Sequence, residues 1–238
     1  MKKIQIIPAI LAKNSEDLED KLSLLKEAYQ ILDSREKMMV QIDICNDNFF
    51  ENIDFSVIEK YADIFNFELD LMNINIVEIT ERLNELSHSA FDRIIFHYED
   101  WQENFEIVIP LNEEGISSRF SFEIGLALIP NTPIEKLNPY LENLDFIQFM
   151  GIDSVGVQGG SFNPAVIEKI KEFRKQNTEM VISVDGGVNL ENAQDLIGAG
   201  INRFAAGLAI FGENNLSHQQ TSPAQQVAEN IEKLNSLS

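Results

Sequence analysis

The sequence predicts an α/β protein whose single domain, spanning residues 1–238, is a (β/α)8 TIM barrel. First, the chain length of 238 residues is close to the ~250 residues that such a barrel typically needs. Second, short apolar segments rich in Ile, Val and Phe recur along the chain, as expected for strands buried on both faces. Third, helical segments separate them, and this alternation favours a parallel sheet. Eight such units favour a closed barrel over an open, doubly wound sheet.

The predicted strands recur at a regular pace. A helix is predicted between the first two strands, over residues 15–32, because Leu18, Leu22, Leu25 and Ala28 repeat at helical spacing. The strands are predicted near residues 3–9, 38–44, 64–71, 92–97, 119–127, 144–149, 179–184 and 202–206.

Two short motifs predict where later helices begin. Thr132-Pro133-Ile134-Glu135 has the N-cap residue, the first-turn proline and the following glutamate of a helix start. Asn163-Pro164 predicts another start. A last helix is predicted over about 224–236, after a polar, loop-like stretch at 213–224.

Composition and charge exclude several classes of partner. The net charge of −21 repels nucleic acid and anionic membranes, so we expect neither as a partner. No apolar run reaches the ~20 residues that span a bilayer, and the N-terminus lacks the features of a signal peptide. Cys45 is the only cysteine, which excludes an intrachain disulfide and a cysteine zinc cluster. We therefore expect a cytoplasmic protein.

Three aspartates follow apolar strands at equivalent positions. Asp43, Asp70 and Asp185 come at the ends of the second, third and seventh predicted strands. One such aspartate is often a helix cap or a solvated strand end, but three favour a shared site, because function in these barrels lies where strands end. Carboxylates packed together repel unless a cation lies between them or one of them stays protonated.

Glycine clusters late in the chain predict a phosphate site. Glycines at strand–helix turns let the backbone approach a ligand and present its N–H groups, and the loops after strands 7 and 8 commonly bind phosphate. Because the overall charge repels a phosphate ester, such a site has to act locally through the backbone. The predicted phosphate and substrate residues are Gly156, Val157, Gln158, Gly159, Gly186, Gly187, Gly207 and Leu208.

With these residues collected, the chain resembles the ribulose-phosphate 3-epimerase family from about residue 4 to residue 212. No single motif is decisive, but the ordered set is specific. The motifs that carry the resemblance are Ile7-Pro8-Ala9-Ile10-Leu11, Gln41-Ile42-Asp43 continuing to Phe49 and Asn52, Leu69-Asp70-Leu71-Met72, Gly125-Leu126-Ala127-Leu128, Gly156 to Phe162, Val184-Asp185-Gly186-Gly187-Val188 and Ala206-Gly207-Leu208-Ala209-Ile210-Phe211.

The resemblance implies a chemistry and a ligand set. Family members invert the carbon next to a ketone with two aspartates and a divalent metal, and the matching aspartates here are Asp43 and Asp185. The metal set carried over is Gln41, Asp43, Asp70 and Asp185, in which Gln41 and Asp70 stand where the family has histidines. Oxygen ligands suit Mg²⁺, Mn²⁺ or Ca²⁺ better than Zn²⁺ or Fe²⁺. The loss of both histidines also leaves open a site with no ion.

Other departures concern the substrate. Toward the sugar, Ala9 replaces a serine and residues 46–48 (Asn-Asp-Asn) replace Asp-Gly-His, and near the phosphate Leu208 replaces a serine. The expected activity is interconversion of ribulose 5-phosphate and xylulose 5-phosphate. The alternatives are an enzyme for another phosphorylated sugar and a catalytically silent sugar-phosphate binding protein. A homo-oligomer is compatible with all three.

Two other residues near the site are expected to be structural. Cys45 is expected to pack, and His97 is expected to be a structural hydrogen-bonding residue rather than a catalytic one.

Overall fold

A closed barrel of parallel strands forms the centre of the molecule. The computed structural model describes residues 4–34, 36–45, 53–73, 91–101, 122–156, 159–212 and 221–237. The strands follow one another around the barrel in sequence order, and β1 closes the ring by pairing with β8. They are β1 (Gln5–Leu11), β2 (Met38–Cys45), β3 (Phe65–Met72), β4 (Phe91–His97), β5 (Glu123–Leu128), β6 (Phe146–Met150), β7 (Val181–Asp185) and β8 (Arg203–Ala206).

Helices follow most of the strands and pack around the barrel. No helix among the described residues is long and apolar enough to cross a membrane. The helices are α1 (Ser15–Ile31), α2 (Ser56–Glu59), α3 (Tyr98–Trp101), α4 (Ala165–Gln176), α5 (Ala193–Ala199), α6 (Leu208–Phe211) and α7 (Pro223–Asn235), with short 3₁₀ helices at Ile134–Leu137 and Leu141–Asn143.

The main apolar core lies between the barrel and its helices. Side chains alternate between the two faces of a strand, so Ile42 and Ile44 of β2 pack outward into this core while Gln41 and Asp43 lie on the inner face. Among the described residues, Ile95, Ala127, Phe146 and Met150 form a second, smaller apolar cluster inside the barrel. Buried polar side chains therefore fill much of the inside of the barrel.

An ion-pair network closes the interior at the amino ends of the strands. Arg93 lies 3.1 Å from buried Glu68 and 2.8 Å from Glu123. Arg203 lies 3.3 Å from the same Glu123 oxygen and stacks over the ring of Phe146 at 4.9 Å. Because arginine stays protonated at any ordinary pH, these acids are permanently compensated.

The expected fold is confirmed, with local differences. Strand β5 begins at Glu123 rather than at 119, and residues 119–121 lie outside the described residues. The expected N-cap at Thr132 is wrong. Its hydroxyl donates to the Glu99 carboxylate, and the short helix that follows is a 3₁₀ helix with no side-chain cap. A tertiary contact thus uses the hydroxyl that the motif assigns to the helix.

The helix starts expected later in the chain agree with the structure. The side-chain oxygen of Asn163 accepts a hydrogen bond of 3.0 Å from the N–H of Ala165, the first residue of α4. Ser222 caps α7 by accepting from the N–H of Gln225 at 3.2 Å. In both cases a short polar side chain satisfies an N–H that has no partner within the helix.

Candidate active site at the carboxyl ends of the strands

Asp43, Asp70 and Asp185 meet inside the barrel. Asp43 pairs in register with Asp70 on the neighbouring strand, and Asp185 ends β7. One oxygen from each carboxylate lies within 4.8 Å of an oxygen of the others. Asp70 is fully buried, Asp185 is buried and Asp43 is half-buried. The strand ends thus concentrate negative charge in one place.

The amide of Gln41 lies among these three carboxylates. Its Nε2 is 2.7 Å from Asp43 Oδ1, 3.0 Å from Asp185 Oδ2 and 3.4 Å from Asp70 Oδ2. The side chain is fully buried, and its Oε1 has no hydrogen-bond partner among the described residues. A neutral N–H₂ group therefore holds the cluster together.

Two further residues hold Asp70 in place. His97 Nε2 lies 2.7 Å from Asp70 Oδ1, and Gln148 Nε2 donates to Asp70 Oδ2 at 2.9 Å. Both side chains are fully buried. His97 thus makes the hydrogen bond expected of a structural residue. Gln148 was missed by the sequence analysis, although a single polar residue within the apolar run Phe146-Ile147-Gln148-Phe149-Met150 is a signal for it.

The electrostatics of the cluster favour proton uptake. Burial, together with the charges of Asp185 and Asp70, raises the pKa of Asp43 well above its ordinary value. Burial and the charge of Asp70 raise the pKa of Asp185 to about 7. Burial opposes protonation of His97, but the Asp70 carboxylate outweighs it, and the pKa of His97 is raised. The cluster can therefore hold and release protons near neutral pH.

Cys45 lies at the edge of the same site but is not activated. Burial and the neighbouring aspartates, Asp43 first among them, raise the pKa of its thiol. The thiolate is the nucleophilic form of cysteine, so a thiol kept neutral is a poor nucleophile. This agrees with a packing role.

A cavity of about 300 Å³ opens above the carboxylates. Asp43 and Asp185 line it, and Asp70 lies beneath. None of the described residues that line it is Lys or Arg, so among these residues the favourable partners of an anion are backbone N–H groups and uncharged polar side chains. The other lining residues are Ala9, Leu11, Cys45, Met72, Met150, Ile152, Gly156, Gly159, Gly160, Ser161, Phe162, Gly186, Gly187, Val188, Asn189, Ala205, Ala206, Gly207, Leu208 and Ala209.

The expected glycine turns border this cavity. Gly186 and Gly187 have φ of 93° and 67°, in the left-handed region that favours glycine. A Cβ at Gly187 would lie 3.0 Å from the Cα of Phe162, so the two backbones touch here. Gly207 precedes α6 and has an ordinary φ of −92°.

Two of the expected site residues, Val157 and Gln158, lie outside the described residues, as do residues 46–49 and Asn52. Leu208 lines the cavity and is 39% exposed there, and Ala9 lines it as well. The wall of the cavity is therefore apolar at both positions where the family resemblance places serines.

The donor atoms fit a hard divalent cation. Ca²⁺ takes oxygen ligands at about 2.3–2.6 Å and Mg²⁺ at about 2.0–2.1 Å, so oxygens that share an ion lie within about 4–5 Å of one another. The three carboxylates meet this distance. The Oε1 of Gln41, which has no hydrogen-bond partner among the described residues, would be a fourth oxygen ligand if the amide faced the carboxylates with its oxygen. No sulfur or imidazole belongs to the set, which favours Mg²⁺, Mn²⁺ or Ca²⁺.

Fold and site together define a TIM-barrel protein with a cluster of acidic groups at the carboxyl ends of its strands, where barrels of this kind carry their active sites. The chain belongs to the Ribulose-phosphate 3 epimerase family, which matches residues 5–211. This confirms the family expected from the sequence motifs.

Curated relatives carry the same name. Ribulose-phosphate 3-epimerase of Schizosaccharomyces pombe is 31% identical over 145 residues, which are 61% of this chain and 59% of that protein. Ribulose-phosphate 3-epimerase of Buchnera aphidicola subsp. Baizongia pistaciae is 26% identical over 224 residues, 90% of this chain and 92% of that protein. Among solved structures, 3-hexulose-6-phosphate synthase from Salmonella typhimurium superposes with a TM-score of 0.64 at 12% identity, covering 98% of both chains, which shows the shared fold.

Proposed function

We propose that this protein is a sugar-phosphate 3-epimerase that interconverts ribulose 5-phosphate and xylulose 5-phosphate. The observation that carries the proposal is the pairing of Asp43 and Asp185 at the base of the cavity, where both accept a hydrogen bond from the same Gln41 nitrogen. Family membership and the names of the relatives support it.

Epimerisation requires one carboxylate that takes a proton and one carboxylic acid that returns it from the opposite face. Two titratable groups whose environments separate their pKa values meet this requirement. The pKa values of Asp43 and Asp185 are both raised, first by burial; the charges of Asp185 and Asp70 add to the rise at Asp43, and the charge of Asp70 adds to the rise at Asp185. In the ion-free site the pair therefore favours one carboxylate and one acid near neutral pH.

The ionised aspartate removes the proton from C3 of the ketose, and the electron pair of the C–H bond moves toward the carbonyl oxygen. The protonated aspartate returns a proton to C3 from the other side. The reverse reaction exchanges the two roles. A bound divalent cation would supply positive charge where the enediolate oxygens develop negative charge. Gln41, Asp43, Asp70 and Asp185 are the residues that would hold it.

The phosphate of the substrate is assigned to the glycine turns. Gly159, Gly186 and Gly187 line the cavity with positive φ, and glycine permits backbone to approach a ligand closely. Ser161 lines the same cavity. Binding through uncharged groups suits a protein whose net charge repels phosphate.

The apolar cavity wall favours a second candidate, an epimerase for a different phosphorylated sugar. The side chain of Ala9, which is expected to face the sugar, offers no hydrogen bond to a sugar hydroxyl. A hydroxyl left without a partner in a closed site disfavours that sugar. Turnover of another ketose phosphate with a higher kcat/KM than ribulose 5-phosphate would support this candidate.

The test is incubation with ribulose 5-phosphate in D₂O, with and without Mg²⁺ or Mn²⁺. We expect xylulose 5-phosphate and deuterium at C3, and neither product with Asp43→Asn or Asp185→Asn. Calorimetric binding of the sugar phosphate with no deuterium exchange would contradict the proposal and leave a silent binding protein. A panel of ketose phosphates measured in parallel separates the two candidate substrates.

Three further expectations stay predictions: one domain over residues 1–238, a cytoplasmic location and a homo-oligomer.

A further inference from the structure

The nitrogen of the Gln41 amide occupies the centre of the carboxylate cluster. It lies 2.7, 3.0 and 3.4 Å from oxygens of Asp43, Asp185 and Asp70. An amide nitrogen carries two hydrogens, so it serves two of these acceptors well and the third poorly. Its position is the one that a cation shared by the three carboxylates would take.

The other end of the same amide has no partner. Oε1 is buried and receives no hydrogen bond from any described residue, which is a costly arrangement for an amide oxygen. The carboxylates thus dictate which way the amide faces. A cation demands the opposite orientation, because N–H groups repel it and an amide oxygen ligates it.

We propose that the Gln41 side chain is a built-in substitute for the cation. Its N–H₂ group joins the three carboxylates when no ion is bound. When a divalent ion binds at this point, the Gln41 side chain withdraws by the length of one coordination bond, ~2 Å, and its amide reverses, so that Oε1 becomes a ligand. This inference rests on the divalent-cation site of the proposed function, and it explains how one uncharged residue serves both states.

The surroundings confine the movement to Gln41. Asp70 receives hydrogen bonds from His97 on one oxygen and from Gln148 on the other. Neither bond has to break for the amide of Gln41 to turn. The ion then competes with the hydrogen bonds of Gln41, so it binds reversibly and the ion-free protein stays folded.

The experiment follows side-chain amide resonances by ¹⁵N–¹H NMR while Mg²⁺ alone is added to the full chain. The Gln41 signals are assigned by their loss in Gln41→Met, and those of Gln148 by their loss in Gln148→Met. We expect the Gln41 N–H₂ protons to move upfield as they leave the carboxylates. The Gln148 protons, which stay bonded to Asp70, are the internal control and shift less. Unchanged Gln41 signals while calorimetry shows Mg²⁺ binding, or no Mg²⁺ binding at all, would overturn the inference.

A pair of variants tests the same idea through affinity. Gln41→Glu removes the N–H₂ group and places a carboxylate oxygen at the centre, so no reversal is needed. We expect a lower thermal midpoint without ion and a rise in Mg²⁺ affinity of about tenfold or more, since ligand charge tunes such affinities. Gln148→Glu adds the same charge beside Asp70 and is the matched control. Equal gains in both variants, or no gain in Gln41→Glu, would count against a special role for Gln41.

Epimerase activity measured on the same samples separates the two proposals. Reversal of the amide without turnover of any ketose phosphate would refute the proposed function and leave the inference intact. Turnover of ribulose 5-phosphate by a protein whose Gln41 amide does not move on Mg²⁺ binding would refute the inference and leave the proposed function intact.

Discussion

The two ends of the barrel interior bury acidic side chains in different surroundings. At the amino ends of the strands, Glu68 contacts Arg93, and Glu123 contacts both Arg93 and Arg203. At the carboxyl ends, three aspartates share amide donors and one histidine. The acids at the first end are compensated by fixed positive charge, and those at the second are not.

This difference separates stability from chemistry. At the amino end, burial raises the pKa of Glu68 while the charges of Arg93 and Arg203 act against that rise. Removing one member of such a buried pair is strongly destabilising. An acid among other acids repels them, and its pKa rises into the range useful for proton transfer. The amino end therefore holds the barrel closed, while the carboxyl end stores unfavourable charge that a substrate, a proton or a cation relieves.

The largest effect is expected from Asp185→Asn. Loss of a proton carrier should lower kcat/KM for ribulose 5-phosphate by about 10³-fold, within the range of general acid–base catalysis. The free energy of unfolding should not fall, because the substitution removes charge from a repulsive cluster while an amide oxygen can still accept from Gln41. Steady-state kinetics and urea unfolding measure the two quantities. Retained turnover would show that β7 does not supply the acid/base group.

Arg93→Met should lower the free energy of unfolding and leave turnover unchanged. It leaves Glu68 buried without its partner, and breaking such a pair costs about 3–5 kcal/mol of unfolding free energy. The value of kcat per folded molecule should not change, since Arg93 lies at the far end of the barrel. Adding Glu68→Gln to Arg93→Met should recover part of the stability in urea unfolding. A stable Arg93→Met protein would mean that the ion pairs do not hold this end closed.

His97→Leu should have a smaller effect, a loss of divalent-ion affinity. Asp70 keeps its hydrogen bond from Gln148 and loses the one from His97. Loss of an outer partner of a ligand typically lowers ion affinity or activity by about 10–100-fold. Mn²⁺ binding by calorimetry measures this, and His97→Gln, which retains a donor, should restore part of the affinity. A purely structural role would lower the unfolding free energy and leave Mn²⁺ affinity as in the wild type.

The last expected effect is the pH dependence of stability without divalent ions. The pKa of Asp185 is about 7 in the folded protein against 3.8 as the ordinary value. Between these values the folded state holds a proton that the unfolded chain has released, so the free energy of unfolding falls as the pH rises from about 4 to about 7. Asp185→Asn should flatten this slope in urea unfolding at pH 5 and 7. An equal slope in both proteins would place the raised pKa elsewhere.

Much of this arrangement is visible in the sequence, because local patterns encode it. The alternation of apolar strands with helices predicts the barrel, and parallel strands bring their carboxyl ends together. Asp43, Asp70 and Asp185 could therefore be expected in one place. Gly186 and Gly187 could be expected at a turn because glycine favours the left-handed backbone conformation that they adopt.

The partners of these groups depend on the closed barrel. Gln148 reaches Asp70 from 78 positions away, and Arg93 reaches Glu68 across neighbouring strands. The hydroxyl of Thr132 donates to Glu99 and therefore does not cap the helix that its motif predicts. Periodicity is a property of neighbours in the chain, so the sequence by itself determined the elements, the barrel and the position of the acids. Hydrogen bonds and charge compensation depend on register and closure, so only the tertiary structure decided which acids are neutralised and which way the Gln41 amide faces.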